Sequence, residues 1–361
     1  MQTRATRLEG TTRFHAGRLD IGGKPVAWDD VLFVIRNTTG HAPSAPNVVH
    51  LRTGERWRAN AIALSANTLT VRLPLSGERK LPLSKLAAID FVPRPALPPD
   101  TRHHTLYRDK GEPIPGKLLW LDAKQLAIDS PLGVLELPRA TALRYVVARP
   151  VAPAPAIGVD EVLLTDGTLL RGRTMPGNNT LELKHATLGT LSLPSRLVAG
   201  VLRHPPGVHH LAEIQPEEIA EAVMISRPSS VARVGLLHNA GQHVTPACLK
   251  GWRLEPKASL DYRLPKATAG TRVLRCGLRP IDRAKGGVRL RMLAGDRALF
   301  DKELSPGDPW PALDLTLPGD SRLKIEVDFA TRIRFHCGVV LCDPHVVTKP
   351  LRRTPSPPGP G

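Results

Sequence analysis

Apolar side chains fall on every second position in three short stretches of this chain, Leu69-Thr70-Val71, Leu126-Ala127-Ile128 and Leu181-Glu182-Leu183. A period of two sends one set of side chains inward and the other to water, which is the pattern of half-buried antiparallel strands. The stretches belong to a repeat. Leu-Pro pairs at Leu81-Pro82, Leu137-Pro138 and Leu193-Pro194 follow one another at 56 residues, and glycines at Gly77, Gly133 and Gly189 keep the same step. Earlier turn glycines stand at Gly54, Gly111 and Gly167. Each unit therefore predicts a strand, a glycine turn, two strands, a Leu-Gly turn, a short strand to Leu-Pro and a final apolar stretch, at Leu86–Phe91, Leu143–Val147 and Leu197–Leu202. Four or five such strands make a small β-barrel or curled sheet. Fragment Ile21–Val34 matches only the closing part of the unit, with Val26 near the place of Leu81 and Val31 near that of Leu86, and is expected to be a degenerate first copy. The repeated Gly and Leu-Pro positions are best explained by turn geometry and core packing, since neither brings a reactive group.

Longer alternation follows in Leu260–Leu264, Val288–Met292, Leu313–Leu317 and Leu323–Phe329, with a glycine hairpin turn at Ala294-Gly295-Asp296. About eight strands in roughly 100 residues predict a jelly-roll β-sandwich. The expected division is a degenerate or truncated repeat over 1–36, β repeats over 46–93, 102–148 and 158–204, a connector over 211–226, a sandwich over 227–347 and a disordered tail over 348–361. Pro-rich spacers Pro93–Pro99 and Pro150–Pro155 separate the copies, and a short acidic helix is expected from Pro216 to Met224.

Composition supports an all-β chain. The 36 prolines and 30 glycines among 361 residues interrupt long helices, while 41% hydrophobic residues are enough to bury cores. No apolar run reaches the ~18–20 residues of a membrane span, so a soluble protein is expected. Met1–Gly10 has no apolar core of the secretory kind. The net charge of +17 favours anionic partners, but it is spread along the chain, and aromatics are only 4%, which weighs against a specific nucleic-acid binder. Cys248, Cys276, Cys337 and Cys342 lack metal-site spacing and are expected to be buried thiols, with a disulfide left open. His103-His104 and His209-His210 lie beside prolines in expected connectors, without an HExxH spacing. No nucleophile elbow or Walker loop is present, so no catalytic residue, metal or cofactor is assigned.

The runs Ser259–Pro265, Gly295–Asp301 and Arg322–Phe329 resemble the NPCBM domain, the novel putative carbohydrate-binding module associated with glycoside hydrolase family 98. The upstream units resemble small Sm-like or SH3-like barrels of planctomycete-type proteins. The resemblance implies a non-catalytic module for glycan or another cell-surface polymer, in an extracellular or cell-envelope setting. Leu341 stands where that family carries a Trp near the close of the domain. Sugar recognition needs an aromatic face and polar groups for hydroxyls. The candidates are Trp310, flanked by Pro309 and Pro311 in an expected loop, Trp252, Tyr262 and Asp301, with Asp261 and Asp328 on similar polar faces. The plainer reading makes Trp252 and Tyr262 core aromatics. Two other classes stand beside glycan binding: a basic adaptor for nucleic acid or another polyanion through the small barrels, and a purely structural envelope protein. The oligomeric state is not set by the sequence.

Overall fold

The computed structural model describes residues 12–36, 45–92, 104–147, 156–221, 231–234, 248–264, 271–281, 284–318, 322–330 and 336–349. The expected spacers at Pro93–Pro99 and Pro150–Pro155 and the tail beyond Lys349 lie outside these residues. The protein is all-β and divides into two units, residues 1–204 and 205–361.

The first unit opens with β1 (Thr12–His15), β2 (Arg18–Ile21), β3 (Lys24–Ala27) and β4 (Phe33–Ile35). Copy 1 supplies β5 (Asn47–Leu51), β6 (Arg56–Ala59), β7 (Ala61–Ser65), β8 (Thr68–Leu73), β9 (Gly77–Pro82) and β10 (Leu86–Asp90). Copy 2 supplies β11 (Thr105–Arg108), β12 (Ile114–Pro115), β13 (Lys117–Leu121), β14 (Gln125–Ser130), β15 (Gly133–Pro138) and β16 (Ala142–Val146). Copy 3 supplies β17 (Asp160–Leu164), β18 (Leu169–Pro176), β19 (Thr180–His185), β20 (Gly189–Pro194) and β21 (Val198–Leu202). The Leu-Pro signal has a plain cause. Pro82, Pro138 and Pro194 hold extended φ of −65°, −61° and −54° immediately before a single 3-10 turn, so each proline ends one strand and sets the chain into that turn. Trp28–Asp30 forms the same turn between β3 and β4, making the N-terminal strands a fourth, shorter copy.

In each full copy the last strand pairs antiparallel with the first: β10 with β5, β16 with β11, β21 with β17. No sheet closes into a barrel among the described residues, which corrects the barrel alternative in favour of open, curled sheets. The physical reason lies at the edges. A closing strand left with an unpaired edge can satisfy it against another copy instead of its own, and here β10 pairs with β16 and β21 with β4. Both pairings are reciprocal. Ile89 faces Tyr145, its equivalent 56 residues on, while Phe91 N donates to Leu143 O (3.0 Å) and Val147 N to Ala87 O (2.8 Å). At the other junction Val34 faces Val201, Arg36 N donates to Ala199 O (3.0 Å) and Arg203 N to Leu32 O (2.8 Å). The copies thus stand as two pseudo-two-fold pairs, copy 1 with copy 2 and copy 3 with the short copy, joined where β6 meets β18. One apolar cluster, from Phe14 and Trp28 through Trp57, Leu118 and Tyr145 to Val201, runs through all four.

The second unit contains β22 (Val208–His210), β23 (Glu218–Glu221), β24 (Val231–Val234), β25 (Gly251–Leu254), β26 (Ala258–Arg263), β27 (Thr271–Pro280), β28 (Val288–Ala294), β29 (Arg297–Leu304), β30 (Ala312–Leu317), β31 (Arg322–Phe329) and β32 (Val339–Lys349). One sheet runs β24-β25-β32-β27-β30 with β22 also on β32, the other β23-β26-β31-β28-β29, and side chains from both form a single core. This is a β-sandwich. Gly295 turns the β28–β29 hairpin at φ 58°, a conformation that favours glycine. Two expectations are corrected. The acidic helix expected from Pro216 is, in its described part, strand β23, because pairing with β26 (Glu218↔Asp261 through Glu221↔Ala258) satisfies its backbone and outweighs local preference. His209-His210 belong to β22, paired with Val346 and His345 on β32, and not to a connector.

Candidate functional site

The four candidate residues do not converge. Trp252 on β25 and Tyr262 on β26 are buried at 4% and 0% exposure, on the strand faces that meet between the sheets. The Trp252 indole N–H donates to Leu211 O at 3.4 Å, and the Arg233 guanidinium lies 5.1 Å from the Trp252 ring centroid. Burial pushes the Tyr262 phenol upward. Neither ring offers a face to a sugar, so their candidacy as ligand-binding residues is withdrawn: alternation places them inward, and a core that buries a large aromatic gains more than an exposed one would. Leu341 is fully buried opposite Trp252, so position 341 faces the interior and presents no surface platform.

Trp310 is different. It stands in the loop between β29 and β30, half-buried against the sandwich core. Its indole N–H donates to Ser305 O at 2.7 Å. Asp308 Oδ2 accepts from Ser305 N at 3.1 Å, and Asp308 N donates back to Ser305 O at 3.0 Å. The Ser305-x-x-Asp308 turn and the indole bond together fix the ring in one orientation, with exposed Ser305 and Asp308 beside it. The sequence marks Trp310 as a loop residue between two prolines, but not the turn that supports its ring.

Asp301 lies on exposed β29 and accepts two bonds from Arg289, Nε at 2.7 Å and Nη2 at 2.8 Å. The hydrogen bond from Arg289, with its positive charge, holds the Asp301 carboxyl below the ordinary carboxylate range. Further pairs cover the same sheet: Arg291 with Glu326 (3.1 Å), Lys324 with Glu326 (2.7 Å), Lys257 with Asp328 (2.9 Å) and Arg322 with Asp261 (3.0 Å). These five cations therefore meet carboxylates, which lowers the field that a polyanion would feel around them. The four cysteines are buried thiols. The Cys248 thiol is pushed up by its hydrogen bond to Cys342, by burial and by the charge of Asp343.

Two buried carboxylates of the repeats, Glu55 and Asp90, are satisfied in place. Glu55 accepts from His185 Nε2 (2.6 Å), Thr53 Oγ1 (2.8 Å) and Arg171 N (3.1 Å), and Asp90 accepts from His50 Nε2 (2.7 Å) and Arg144. Each joins two elements of the sheet, a structural use of charge that sequence reasoning did not find because the histidine partners lie 40 and 130 residues from their carboxylates.

No family model and no curated protein matches the chain. Solved structures show distant likeness. A CBM51 module from Clostridium perfringens GH95, in complex with methyl-galactose, is 11% identical over 39% of this chain and 99% of its own, with a TM-score of 0.32. The tandem CBM51 modules of a family 98 glycoside hydrolase from Streptococcus pneumoniae are 8% identical over 54% of this chain and 72% of theirs, also at 0.32. Likenesses this remote decide neither fold nor ligand.

Proposed function

We propose that this chain is a non-catalytic binding protein whose C-terminal sandwich contacts a glycan or cell-surface polymer, with Trp310 as the ring platform. The observation that carries the reading is the Trp310 loop: a loop indole that is only partly buried against the core and whose N–H is already bound to Ser305 O, so that what it has to offer a ligand is ring surface and not its polar edge. A sugar ring packs its C–H face on such an indole while its hydroxyls bond nearby polar groups, and an orientation fixed in advance lowers the ordering cost of binding. Ser305 and Asp308 supply polar groups beside it. The sequence resemblance to NPCBM points to the same ligand class, with the paired strands of the first unit as the docking part. A polyanion held by the sandwich itself is the weaker reading, because Arg289, Arg291, Arg322, Lys257 and Lys324 there are each engaged by carboxylates; the polyanion alternative rests on the small sheets of the first unit.

The test is a glycan array with the full chain, the wild type against Trp310→Ala. Binding that persists in high salt and drops about tenfold or more in the variant, with the melting curve kept, supports the reading, since loss of a stacking contact of about 1.4 kcal/mol is tenfold in affinity. Equal binding by both proteins removes Trp310 from the site. Retention only on phosphate polymers, falling steeply with salt, favours the polyanion reading instead.

A further inference from the structure

Copies 1 and 3 meet through their second strands, β6 and β18, and the bonding at this junction is reciprocal. Arg56 faces Leu169, Arg58 N donates to Thr168 Oγ1 at 3.3 Å, and Arg171 N donates to Glu55 Oε1 at 3.1 Å. Counted from the turn glycines Gly54 and Gly167, Arg56 and Leu169 are both second residues, while Arg58 and Arg171 are both fourth. A second strand of this unit is therefore built to meet another second strand, with the second residues facing one another and the N–H groups of the fourth residues donating across the junction.

The corresponding strand of copy 2 is β12, after Gly111, and among the described residues it ends its sheet. Counted from Gly111 in the same way, the second residue is Pro113, just before β12, and the fourth is Pro115, within it. Between them Ile114 faces Leu106 on β11, and the following Gly116 N donates to His104 O at 2.6 Å. Positions 114 and 116 thus bond inward, so strand alternation aims 113 and 115 at the open edge. Proline has no N–H, so Pro115 lacks the donor that Arg58 and Arg171 use across the β6–β18 junction, and Pro113 has none to offer at the position where Arg56 faces Leu169. Proline on the outward side of an edge strand is a known block to strand addition.

We propose that the β12 edge is a self-pairing surface of this chain held shut by Pro113 and Pro115, and that the partner it would otherwise accept is the β12 edge of a second copy. The two-fold of the β6–β18 junction, applied to two chains, sets residue 113 of one opposite residue 113 of the other. The unit's own second strands supply the reason for that occupant, because they already show this pairing within one chain.

The experiment places copy 3's residues in the full chain as Pro113→Leu/Pro115→Arg and follows sedimentation from about 1 to about 100 μM, a range in which modest interfaces associate. A concentration-dependent dimer in the variant, with wild type not pairing at this edge, is the expected result. In Pro113→Cys/Pro115→Arg, the thiols introduced at position 113 of two chains and one oxidised glutathione exchange to an interchain 113–113 disulfide and two reduced glutathiones, and peptide mapping should find that cross-link. A variant that keeps the wild-type far-UV spectrum and melting curve but gives neither dimer nor cross-link overturns the proposal. So does wild-type protein that already protects β12 amides on self-association. Should the double variant fail to fold, Pro115→Arg alone restores one donor and carries the same comparison.

Discussion

Glu55 joins copies 1 and 3 by accepting hydrogen bonds from His185 and from the Arg171 backbone as well as from its neighbour Thr53. His185 Nδ1 accepts from Thr187 N and Leu188 N, so its proton sits on Nε2 and points at Glu55. Burial alone would raise the Glu55 carboxyl, but the bonds from His185, Thr53 and Arg171 hold it below the ordinary range; Asp90 is held down in the same way by His50 and Arg144 against its own burial. A depressed carboxylate contributes stability that is present above its unfolded value of about 4 and lost as pH falls through its folded value. Urea midpoints are therefore expected to stay level from neutral pH to about 5 and to decline below about 4, with a shallower acid limb in Glu55→Gln. Glu55→Ala, which leaves the Arg171 and His185 donors without it, is expected to cost about 3 kcal/mol in the same measurement. Tyr145 titrates on the other side. Burial pushes its phenol up to about 12, while its oxygen accepts from Leu118 N at 2.9 Å and its O–H reaches Gly116 O at 3.3 Å. A raised phenol contributes stability that is present below an unfolded value near 10 and fades as pH rises past it, and Tyr145→Phe should remove that alkaline component.

Strand pairs in the sandwich approach closely enough to dictate a residue type. Gly251 on β25 faces Cys342 on β32, and a Cβ at 251 would lie 2.2 Å from Leu341 O and 2.9 Å from Cys248 Sγ. The main chain cannot yield as a side-chain tip can, so Gly251→Ala is expected to destabilise the second unit by about 1–3 kcal/mol, read by thermal denaturation. Asp343 adds to the same contact, its Oδ1 accepting from Leu249 N and Lys250 N at 2.9 Å each. In the repeats Gly172 plays the matching part: β18 passes Lys184 O so closely that a Cβ would sit 2.4 Å from it, and the strand can continue from its pairing with β17 to its pairing with β19. β23 shows the opposite balance. Its residues Glu218–Glu221 are all exposed and favour a helix locally, yet an edge position on β26 makes them a strand, with two carboxylates facing water.

At the scale of the molecule, two separate apolar cores lie on either side of the 204/205 boundary. Residues 205–361 expressed alone are expected to give a β-type far-UV spectrum and one cooperative melting transition, and a chain that stays unfolded would refute that independence. No helix among the described residues is long and apolar enough to cross a membrane. Much of this architecture is written in local order: the period of two, the turn glycines and the Leu-Pro pairs act within a few residues, through φ restriction and side-chain alternation, and so the all-β class, the repeat and the sandwich are legible in the sequence. Trp310 is legible too, as a loop aromatic between two prolines. The rest depended on contacts across long separations. Alternation says that Trp252 and Tyr262 share a face with other apolar residues, but only the second sheet closing over them makes that face an interior. The joining of copies through β10–β16, β21–β4 and β6–β18 and the burial of Glu55 and Asp90 at or beside those joints were decided in three dimensions, because a backbone edge and a buried charge are satisfied by whichever group folding brings near, and no local pattern names that partner.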